Sequence, residues 1–188
     1  MKRFYILLAI ILACFAVFFI LWQLSKSRSY QTFGRVVNRV ETSRKIVALT
    51  FDDGPTESMT SRILETLHNE QVRATFFVTG AELQMSIERG RRMVAAGHEL
   101  GNHSYSHQRM VMVSPSWVRD EIERTDALIR EAGYTKEIYF RPPYGKKLFV
   151  LPYYLSQTGR TSVTWDIEPD SRTRATAEEI AKEAAEQV

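Results

Sequence analysis

The sequence predicts a fold of the α/β class, with a parallel sheet covered by helices. Two observations indicate this. β-Branched and aromatic runs alternate along the chain with segments whose apolar residues recur at helical spacing, which is typical of strands joined by helical crossovers. Polar residues of catalytic type follow the ends of these runs, and the carboxyl ends of parallel strands meet at one edge of a sheet.

Composition narrows the classes of protein to consider. The chain has 188 residues, enough for one domain behind a distinct N-terminal segment. Its single cysteine, Cys14, excludes a disulfide framework within the chain. The net charge of +3 comes from basic residues scattered among acidic ones, so we expect an ordinary solvated surface and no nucleic-acid partner.

Residues 1–24 are predicted to form a transmembrane signal anchor. The stretch from Phe4 to Trp22 carries no charge and is long enough to cross about 30 Å of hydrocarbon as a helix. A cleaved signal peptide has a shorter apolar region, of about 7–15 residues, and a small-residue cleavage site. Lipoprotein cleavage before Cys14 is an alternative, but it would leave an exposed apolar stretch at the new N-terminus.

The charges that flank this helix give conflicting indications of its orientation. Lys2 and Arg3 favour an N-terminus inside the cell, whereas Lys26 and Arg28 favour the opposite. We expect a single-pass membrane protein whose folded domain is extracytoplasmic. The polar residues 25–43 are interpreted as a linker or stalk.

Five strands are predicted in the rest of the chain. Each is a short apolar, β-branched or aromatic run that ends at a polar residue or a turn. Their ranges are 45–51, 73–80, 98–103, 138–145 (with a terminal turn) and 160–168.

Helices are predicted between these strands and after the last one. Ser114 can cap one of them, with Pro115 at its first position and Gly133 after its end. Thr176 and Glu179 form a capping box for the last. The expected ranges are 57–69, 83–96, 114–133, 148–157 and from 176 onwards.

Residues of catalytic type lie at four of the predicted strand ends. They are Asp52 and Asp53 after the first strand, His103 after the third, Arg141 after the fourth and Asp166 after the fifth. Packing alone does not explain such a distribution, and in barrels of βα units this edge is where sites are built.

The carboxylate pair and the histidine pair together predict a metal site. His103 and His107 are four residues apart, so on a helical turn both rings would lie on one face. With Asp53 they would form an open ligand set for a hydrolytic metal, and Asp52 beside it could take a proton from water. The alternative is a solvated histidine pair and a simple Asp-Asp-Gly-Pro turn.

The RPPYG stretch at Arg141–Gly145 can add two further groups. Arg141 could bind a carboxylate through its two-pronged guanidinium, and so orient Asp52 or lower its pKa. The stiff turn exposes the backbone N–H of Tyr144, a possible donor to an oxyanion. Without the other motifs, this stretch would be read as a turn only.

Three of these motifs together resemble a known family. TFDDGP at Thr50–Pro55, HSYSH at His103–His107 and RPPYG at Arg141–Gly145 are similar, in order and separation, to the first three motifs of polysaccharide deacetylases, the NodB-homology domain. The resemblance runs from about Arg44 onwards and implies that 44–188 form a domain of the deformed (β/α) barrel type. Members of the family remove acetyl groups from N-acetylated sugars of peptidoglycan or chitin, and some remove O-acetyl groups from xylan.

The resemblance also implies roles for individual residues. The ion in this family is a divalent metal, often zinc. By motif position, Asp52 would be the general base, Asp53, His103 and His107 the metal ligands, Arg141 the residue that orients the base, and Tyr144 the backbone oxyanion donor.

The sequence departs from the family pattern at two places. The fourth motif, of the Asp-x-x-Asp-Trp type, is replaced by WDIEPDSR over 165–172, which leaves Glu168, Asp166 or Asp170 as possible partners of Arg141. The fifth motif supplies a histidine as general acid, and no histidine follows His107. We therefore expect a barrel that lacks its last strand or strands.

These indications give one main function and two alternatives. The first is a membrane-anchored, metal-dependent hydrolase of non-peptide carbon–nitrogen bonds, which removes N-acetyl groups from cell-wall polysaccharide. The second is a catalytically impaired, membrane-tethered protein that binds or regulates glycan. The third is an O-acetyl esterase acting on polysaccharide with the same site.

Overall fold

The computed structural model describes residues 1–170 and 175–188, and it confirms the predicted α/β class. Ser171 and Arg172, which stand in the altered fourth motif, lie outside the described residues. The helices are α1 (Lys2–Ser25), α2 (Glu57–Asn69), α3 (Gly80–Met85), α4 (Ile87–Ala95), α5 (Pro115–Glu131), α6 (Val150–Gln157) and α7 (Ala177–Gln187), with a 3-10 turn at Pro143–Gly145. The strands are β1 (Arg35–Val37), β2 (Thr50–Asp52), β3 (Thr75–Val78), β4 (Glu99–Asn102) and β5 (Thr161–Val163).

All strand pairs in the described residues are parallel. β3 lies between β2 and β4, and β1 pairs with β5. Phe140 joins the two groups, because it forms parallel bridges to Asn102 at the end of β4 and to Ser162 in β5. The resulting order is β2-β3-β4-Phe140-β5-β1. Within the described residues no ladder joins β1 to β2, so the sheet stays open there.

Two apolar clusters hold the helices to this sheet. One contains Phe76 and Val78 of β3 with Leu83 and Ile129 from the helices above them. The other surrounds Phe140 with residues of α5 and α6, which include Ile122 and Leu155. Because the central strands are buried by helices, their carboxyl ends are fixed with respect to one another.

The segment expected to be a linker contributes a strand to the sheet. Arg35–Val37 pair in parallel with Thr161–Val163, where the sequence predicted a polar stalk over 25–43. The strand is short and only half-buried, so it gives too few apolar positions for a period-2 pattern to be detected. The boundary at residue 44 remains a prediction.

Three predicted elements differ from the observed ones. The strand predicted over 138–145 is reduced to isolated bridges at Phe140, because Pro142 and Pro143 have no N–H to donate to a ladder and a 3-10 turn begins at Pro143. The strand predicted over 45–51 begins only at Thr50, and Ile46 and Val47 are exposed, because this part of the chain has no neighbouring strand among the described residues. The helix predicted over 83–96 is two helices that meet at Ser86, whose extended backbone breaks the helical turn.

The N-terminal helix is the one described element long and apolar enough to cross a membrane. α1 has 24 residues, and its apolar window has no buried share within the structure. Its C-terminal end contacts the domain: Ser25 is buried, and its carbonyl oxygen accepts a hydrogen bond from the Lys147 N–H at 2.9 Å.

Candidate metal centre and active site

The two adjacent carboxylates leave β2 in different directions. Asp52 is the last residue of the strand, and 32% of its side chain is exposed. Asp53 follows with a φ of 66°, in the left-handed region, and 65% of its side chain is exposed. The reversal of the backbone at Asp53 lets the two neighbouring carboxylates occupy separate positions in the same site.

The histidine pair lies in an irregular loop after β4. The sequence suggested a helical turn, but Ser104 and His107 both have positive φ, at 64° and 57°. This loop still brings the rings together, with centroids 4.9 Å apart. The spacing of four residues therefore produced the expected pairing through a different backbone conformation.

Asp53, His103 and His107 form a cluster that could hold a metal ion. One ligand atom from each lies within 4.8 Å of the others. The Asp53 Oδ1 atom is 3.2 Å from Nε2 of His107 and 3.7 Å from Nε2 of His103. Two imidazoles and one carboxylate are a ligand set that leaves coordination positions for water and substrate.

A hydrogen bond at Nδ1 of His103 fixes which ring nitrogen is free to bind a metal. Nδ1 lies 2.7 Å from the carbonyl oxygen of Arg141, which can only accept, so Nδ1 carries the proton and Nε2 presents its lone pair to the carboxylates. Burial lowers the pKa of His103 to about 4, which keeps the ring neutral near pH 7. Since a metal needs neutral imidazole, the residues present fit a divalent cation.

Arg141 is a buried clamp on Asp52. Its Nη1 atom donates to Oδ1 of Asp52 at 2.5 Å and to Oγ1 of Thr50 at 2.9 Å. Its other nitrogens donate to the carbonyl oxygens of Val163 and Thr164, at 3.3 Å and 3.0 Å. The guanidinium thus ties the end of β2 to the end of β5.

The partners predicted for Arg141 in the altered fourth motif are not those observed. Within the described residues, the carboxylate that its side chain contacts is Asp52. Glu168 forms an ion pair with Arg28, and Asp166 is 3.3 Å from Arg39. Asp170 acts on the site at longer range, as one of the charges that raise the pKa of Asp52. Residues 28–39, interpreted from the sequence as part of a linker, supply the arginines that pair with Glu168 and Asp166.

The pKa of Asp52 is raised above its usual value. Burial is the largest cause, and the charge and hydrogen bond of Arg141 oppose it without cancelling it. Arg141 itself lowers the pKa of Asp52, as expected from the sequence, but the effect of burial is larger and the net shift is upward. A carboxylate whose pKa is moved towards neutrality is a better acceptor for a proton from water.

Tyr144 lies at the mouth of the site. Its backbone is left-handed, with φ 57° and ψ 15°, inside the 3-10 turn Pro143–Gly145. The residue is 54% exposed, and its ring lies 4.7 Å, centroid to centroid, from the ring of His107. The guanidinium of Arg109 lies 5.0 Å above the Tyr144 ring. The ring of Tyr144, the residue predicted to supply the oxyanion donor through its backbone N–H, is therefore beside His107.

Two residues that support the histidine loop were not predicted from the sequence. Glu121, buried on α5, accepts the backbone N–H groups of Tyr105 and Ser106 through Oε2, at 3.0 Å and 2.8 Å. Asn102 accepts the N–H of Ser104 at 2.8 Å. One signal could have revealed Glu121: it lies on the apolar face of α5 that Val118, Ile122 and Thr125 define, where a charge needs partners.

Fold and site together define a class: a parallel α/β domain with a candidate metal centre at the carboxyl edge of its sheet. The chain belongs to the polysaccharide deacetylase family, whose model matches residues 39–163. The family predicted from the three motifs is thus confirmed.

Two curated relatives illustrate the similarity. The chain is 35% identical over 131 residues to peptidoglycan-N-acetylmuramic acid deacetylase PdaC of Bacillus subtilis, which covers 70% of this chain and 27% of the relative. It is 36% identical over 123 residues to peptidoglycan-N-acetylglucosamine deacetylase of Bacillus cereus, which covers 65% of this chain and 44% of the relative. The chain therefore spans less than half the length of either protein.

A solved structure shows the same fold. It is a mutant, with restored enzymatic activity, of a CE4 family pseudoenzyme from Bacillus anthracis. The TM-score is 0.75 at 27% identity, over 81% of this chain and 56% of that one. The predicted deacetylase fold is confirmed by this match.

Proposed function

We propose that the protein is a metal-dependent hydrolase that removes N-acetyl groups from cell-wall polysaccharide, and that α1 anchors it in a membrane with the domain extracytoplasmic. One observation carries the chemistry: ligand atoms of Asp53, His103 and His107 lie within 4.8 Å of one another, and the carboxylate of Asp52, bound by Arg141, lies 3.9 Å from the His103 ring. The peptidoglycan deacetylases among the relatives support the substrate class, an N-acetylated glycan.

Asp53, His103 and His107 would hold the ion. The set of two nitrogens and one oxygen favours zinc over magnesium or calcium, which prefer oxygen ligands alone. The bound cation would supply Lewis-acid activation of the acetyl carbonyl and of water. His103 would keep its orientation through the Nδ1–H bond to the Arg141 carbonyl.

The remaining groups would act directly on the reactants. Asp52 accepts the proton of the attacking water, for which its raised pKa makes it a stronger base than a solvated aspartate. That proton then passes to the amine nitrogen as the C–N bond breaks, which gives acetate and the free amino sugar. Arg141 keeps that carboxylate in one orientation. The Tyr144 N–H donates to the oxygen of the acetyl carbonyl as negative charge develops on it.

The first experiment measures acetate release from N-acetylated chito-oligosaccharide by the zinc-loaded full chain. We expect Asp52→Asn to keep its zinc and to lose at least about a hundredfold in kcat, because only the proton acceptor is removed. His103→Ala serves as the matched control, since it should lose zinc as well. Full turnover by Asp52→Asn would contradict the assignment. Parallel assays on acetylated xylan separate N-deacetylation from O-deacetylation.

A second function is favoured by the pseudoenzyme among the structural neighbours. In that case the chain would bind acetylated glycan at the same edge without hydrolysing it. Saturable binding of chito-oligosaccharide, measured by calorimetry, together with no acetate release from zinc-loaded protein, would favour this alternative. Measurable turnover that Asp52→Asn abolishes would exclude it.

A further inference from the structure

The end of the proposed membrane helix is docked on the domain. The backbone N–H of Lys147 donates to the carbonyl oxygen of Ser25, the last residue of α1, at 2.9 Å. The Lys147 ammonium donates to the carbonyl oxygen of Ser27 at 2.5 Å, and Lys147 is only 1% exposed. A buried cation that uses the chain after α1 as its acceptor indicates a fixed junction.

The chain after this junction is also bound along its length. The hydroxyl of Thr32 donates to the carbonyl oxygen of Leu148 at 2.6 Å, and the hydroxyl of Thr164 donates to that of Arg28 at 2.5 Å. The strand pairing of β1 with β5 follows. Each contact joins the segment 25–37 to β5, to the residue after it or to the chain just after the Pro143–Gly145 turn, so little free length remains between membrane and domain.

This junction lies close to the candidate active site. Tyr144 is three residues from Lys147, so their Cα atoms are at most about 11 Å apart. The Lys146 ammonium lies 4.7 Å from the centre of the Trp22 ring, at the end of the uncharged stretch of α1. The Tyr144 ring in turn contacts His107. The end of the anchor is thus connected to His107, a proposed metal ligand, through the Trp22–Lys146 contact, the two peptide links from Lys146 to Tyr144, and the Tyr144–His107 ring contact.

The thickness of the lipid headgroup layer determines how far the candidate active site lies from the membrane. A bilayer has about 30 Å of hydrocarbon and 40–45 Å with its headgroups, so each headgroup layer is roughly 5–8 Å thick. With Phe4–Trp22 in the hydrocarbon, Ser25 lies in that layer, about 4.5 Å of helical rise beyond Trp22. The side of the domain that carries Tyr144 must then lie at the membrane surface.

We propose that the candidate active site faces the membrane surface, and that its substrate is an acetylated glycan attached to that membrane through a lipid. This inference rests on the hydrolase function and on the anchor proposed above. It adds the source of the glycan, since a site held at headgroup depth meets saccharide carried by membrane lipid before it meets the distant wall.

The charge beside the junction is suited to this surface. Lys26 and Arg109 both lower the pKa of Lys146 after the larger effect of burial, so the three cations lie near one another. They flank Trp22 and Tyr144, aromatic residues of the kind enriched at membrane interfaces. Anionic headgroups would neutralise this cluster and so attract this side of the domain to the membrane surface.

A depth measurement tests the location without any need for turnover. The full chain, in a Cys14→Ala background, carries a fluorophore on the cysteine of Met112→Cys. Met112 is 93% exposed and lies two residues from Met110, which forms a bridge with Lys147. The matched control is Glu70→Cys, exposed before β3 at the opposite edge of the sheet. Headgroup nitroxide lipids should quench the first label at least about twice as strongly. Equal quenching, or stronger quenching at Glu70→Cys, would overturn the proposal.

A rate measurement tests the substrate. Acetate release by zinc-loaded protein in anionic vesicles is compared for one chito-oligosaccharide, either free or attached to a lipid. We expect kcat/KM at least about tenfold higher for the attached form. A flexible Gly-Ser segment of about twelve residues after Leu24, with a root-mean-square span of roughly 20 Å, should reduce this ratio, and the same segment after Met1 should not.

The possible failures are distinguishable. Equal rates on both forms, or a ratio unchanged by the insertion after Leu24, would refute the membrane-facing site and leave the hydrolase function standing. No release from either form would refute the hydrolase function, and the substrate assignment with it, while the quenching experiment would still decide where the site lies.

Discussion

The roles proposed for the two adjacent aspartates differ because their environments differ. Asp52 is clamped by a buried arginine and has a raised pKa, whereas Asp53 is turned outwards by a positive φ, towards the histidines. A backbone rotation at one residue thus separates the proposed proton acceptor from the proposed metal ligand. The repulsion between the two neighbouring carboxylates is offset by different partners, Arg141 for Asp52 and His107 for Asp53.

Glu121 offers a test of how the histidine loop is held. Glu121→Ala would leave the N–H groups of Tyr105 and Ser106 without their acceptor, so we expect zinc affinity to fall by about 10–100-fold. Glu121→Gln keeps an acceptor oxygen and should restore most of that affinity. The measurements are calorimetric zinc titration and the visible spectrum of the cobalt form. Glu131→Ala, exposed at the end of the same helix, is the control.

An unchanged zinc affinity and cobalt spectrum in Glu121→Ala would show that the loop holds its shape without Glu121. If Glu121→Gln loses as much zinc affinity as Glu121→Ala, the loop requires the negative charge of Glu121 and not only its acceptor oxygen.

Motif spacing was enough to identify the residues that the structure gathers at the site. Asp52, Asp53, His103 and His107 have the residue types that metal-assisted hydrolysis needs, and their positions after strands predicted a common edge. Their supports were not predictable in the same way. The link from Glu121 to the loop depends on how α5 packs over β4, which is a tertiary contact without a local pattern.

Among the elements, β4 and β3 are held at a close approach that depends on a glycine. A Cβ on Gly101 would lie 2.4 Å from Cδ1 of Phe77, and the Phe77 ring lies 4.0 Å below the guanidinium of Arg141. The absence of a side chain in β4 therefore allows the neighbouring strand to support the arginine that clamps Asp52.

We expect Gly101→Ala to destabilise the fold by about 1–3 kcal/mol, since Phe77 would have to move. Acetate release should fall as well, because Arg141 would lose its support. Denaturant unfolding and kcat are measured in parallel. The double variant Gly101→Ala/Phe77→Leu, which opens space for the new methyl group, should recover part of the stability. If Gly101→Ala alone unfolds at the wild-type denaturant concentration, the packing account is wrong.

The helices and strands that were predicted correctly are those with strong local sequence patterns. The α5 helix has an N-cap, a proline at its first position and a regular apolar face, and it was predicted closely. The strand over 45–51 was overestimated, because a β-branched run forms a strand only where a partner is available. The three residues of β1 were missed, because their pairing with β5 is 126 residues away in the chain.

For the whole molecule, Lys147 makes stability depend on pH. Burial lowers the pKa of Lys147 from 10.5 to about 8. Between these values the unfolded chain binds more protons than the folded chain, so the free energy of unfolding should rise as pH increases from about 8 to about 10.5. Below about pH 8 the full penalty of the buried charge is present, on the order of 3 kcal/mol.

Denaturant unfolding of the full chain in detergent micelles, at several pH values from 7 to 10, measures this rise. Lys147→Met has a similar length and no charge, so its curve should lack the contribution of Lys147. The difference between the two proteins is the relevant quantity, because tyrosines and other lysines titrate in both. Parallel curves for the two proteins would contradict the buried-charge account.

The open side of the sheet has a consequence for how copies of the protein behave at high concentration. β2 has one strand neighbour among the described residues, and the exposed Ile46, Val47 and Leu49 lead directly into it. An unpaired apolar edge is a template for strands of other molecules. We therefore expect folded molecules to associate through this edge, so that precipitation at high protein concentration does not require unfolding. The substitution Val47→Lys, in the middle of the exposed run, should raise the concentration at which the protein precipitates.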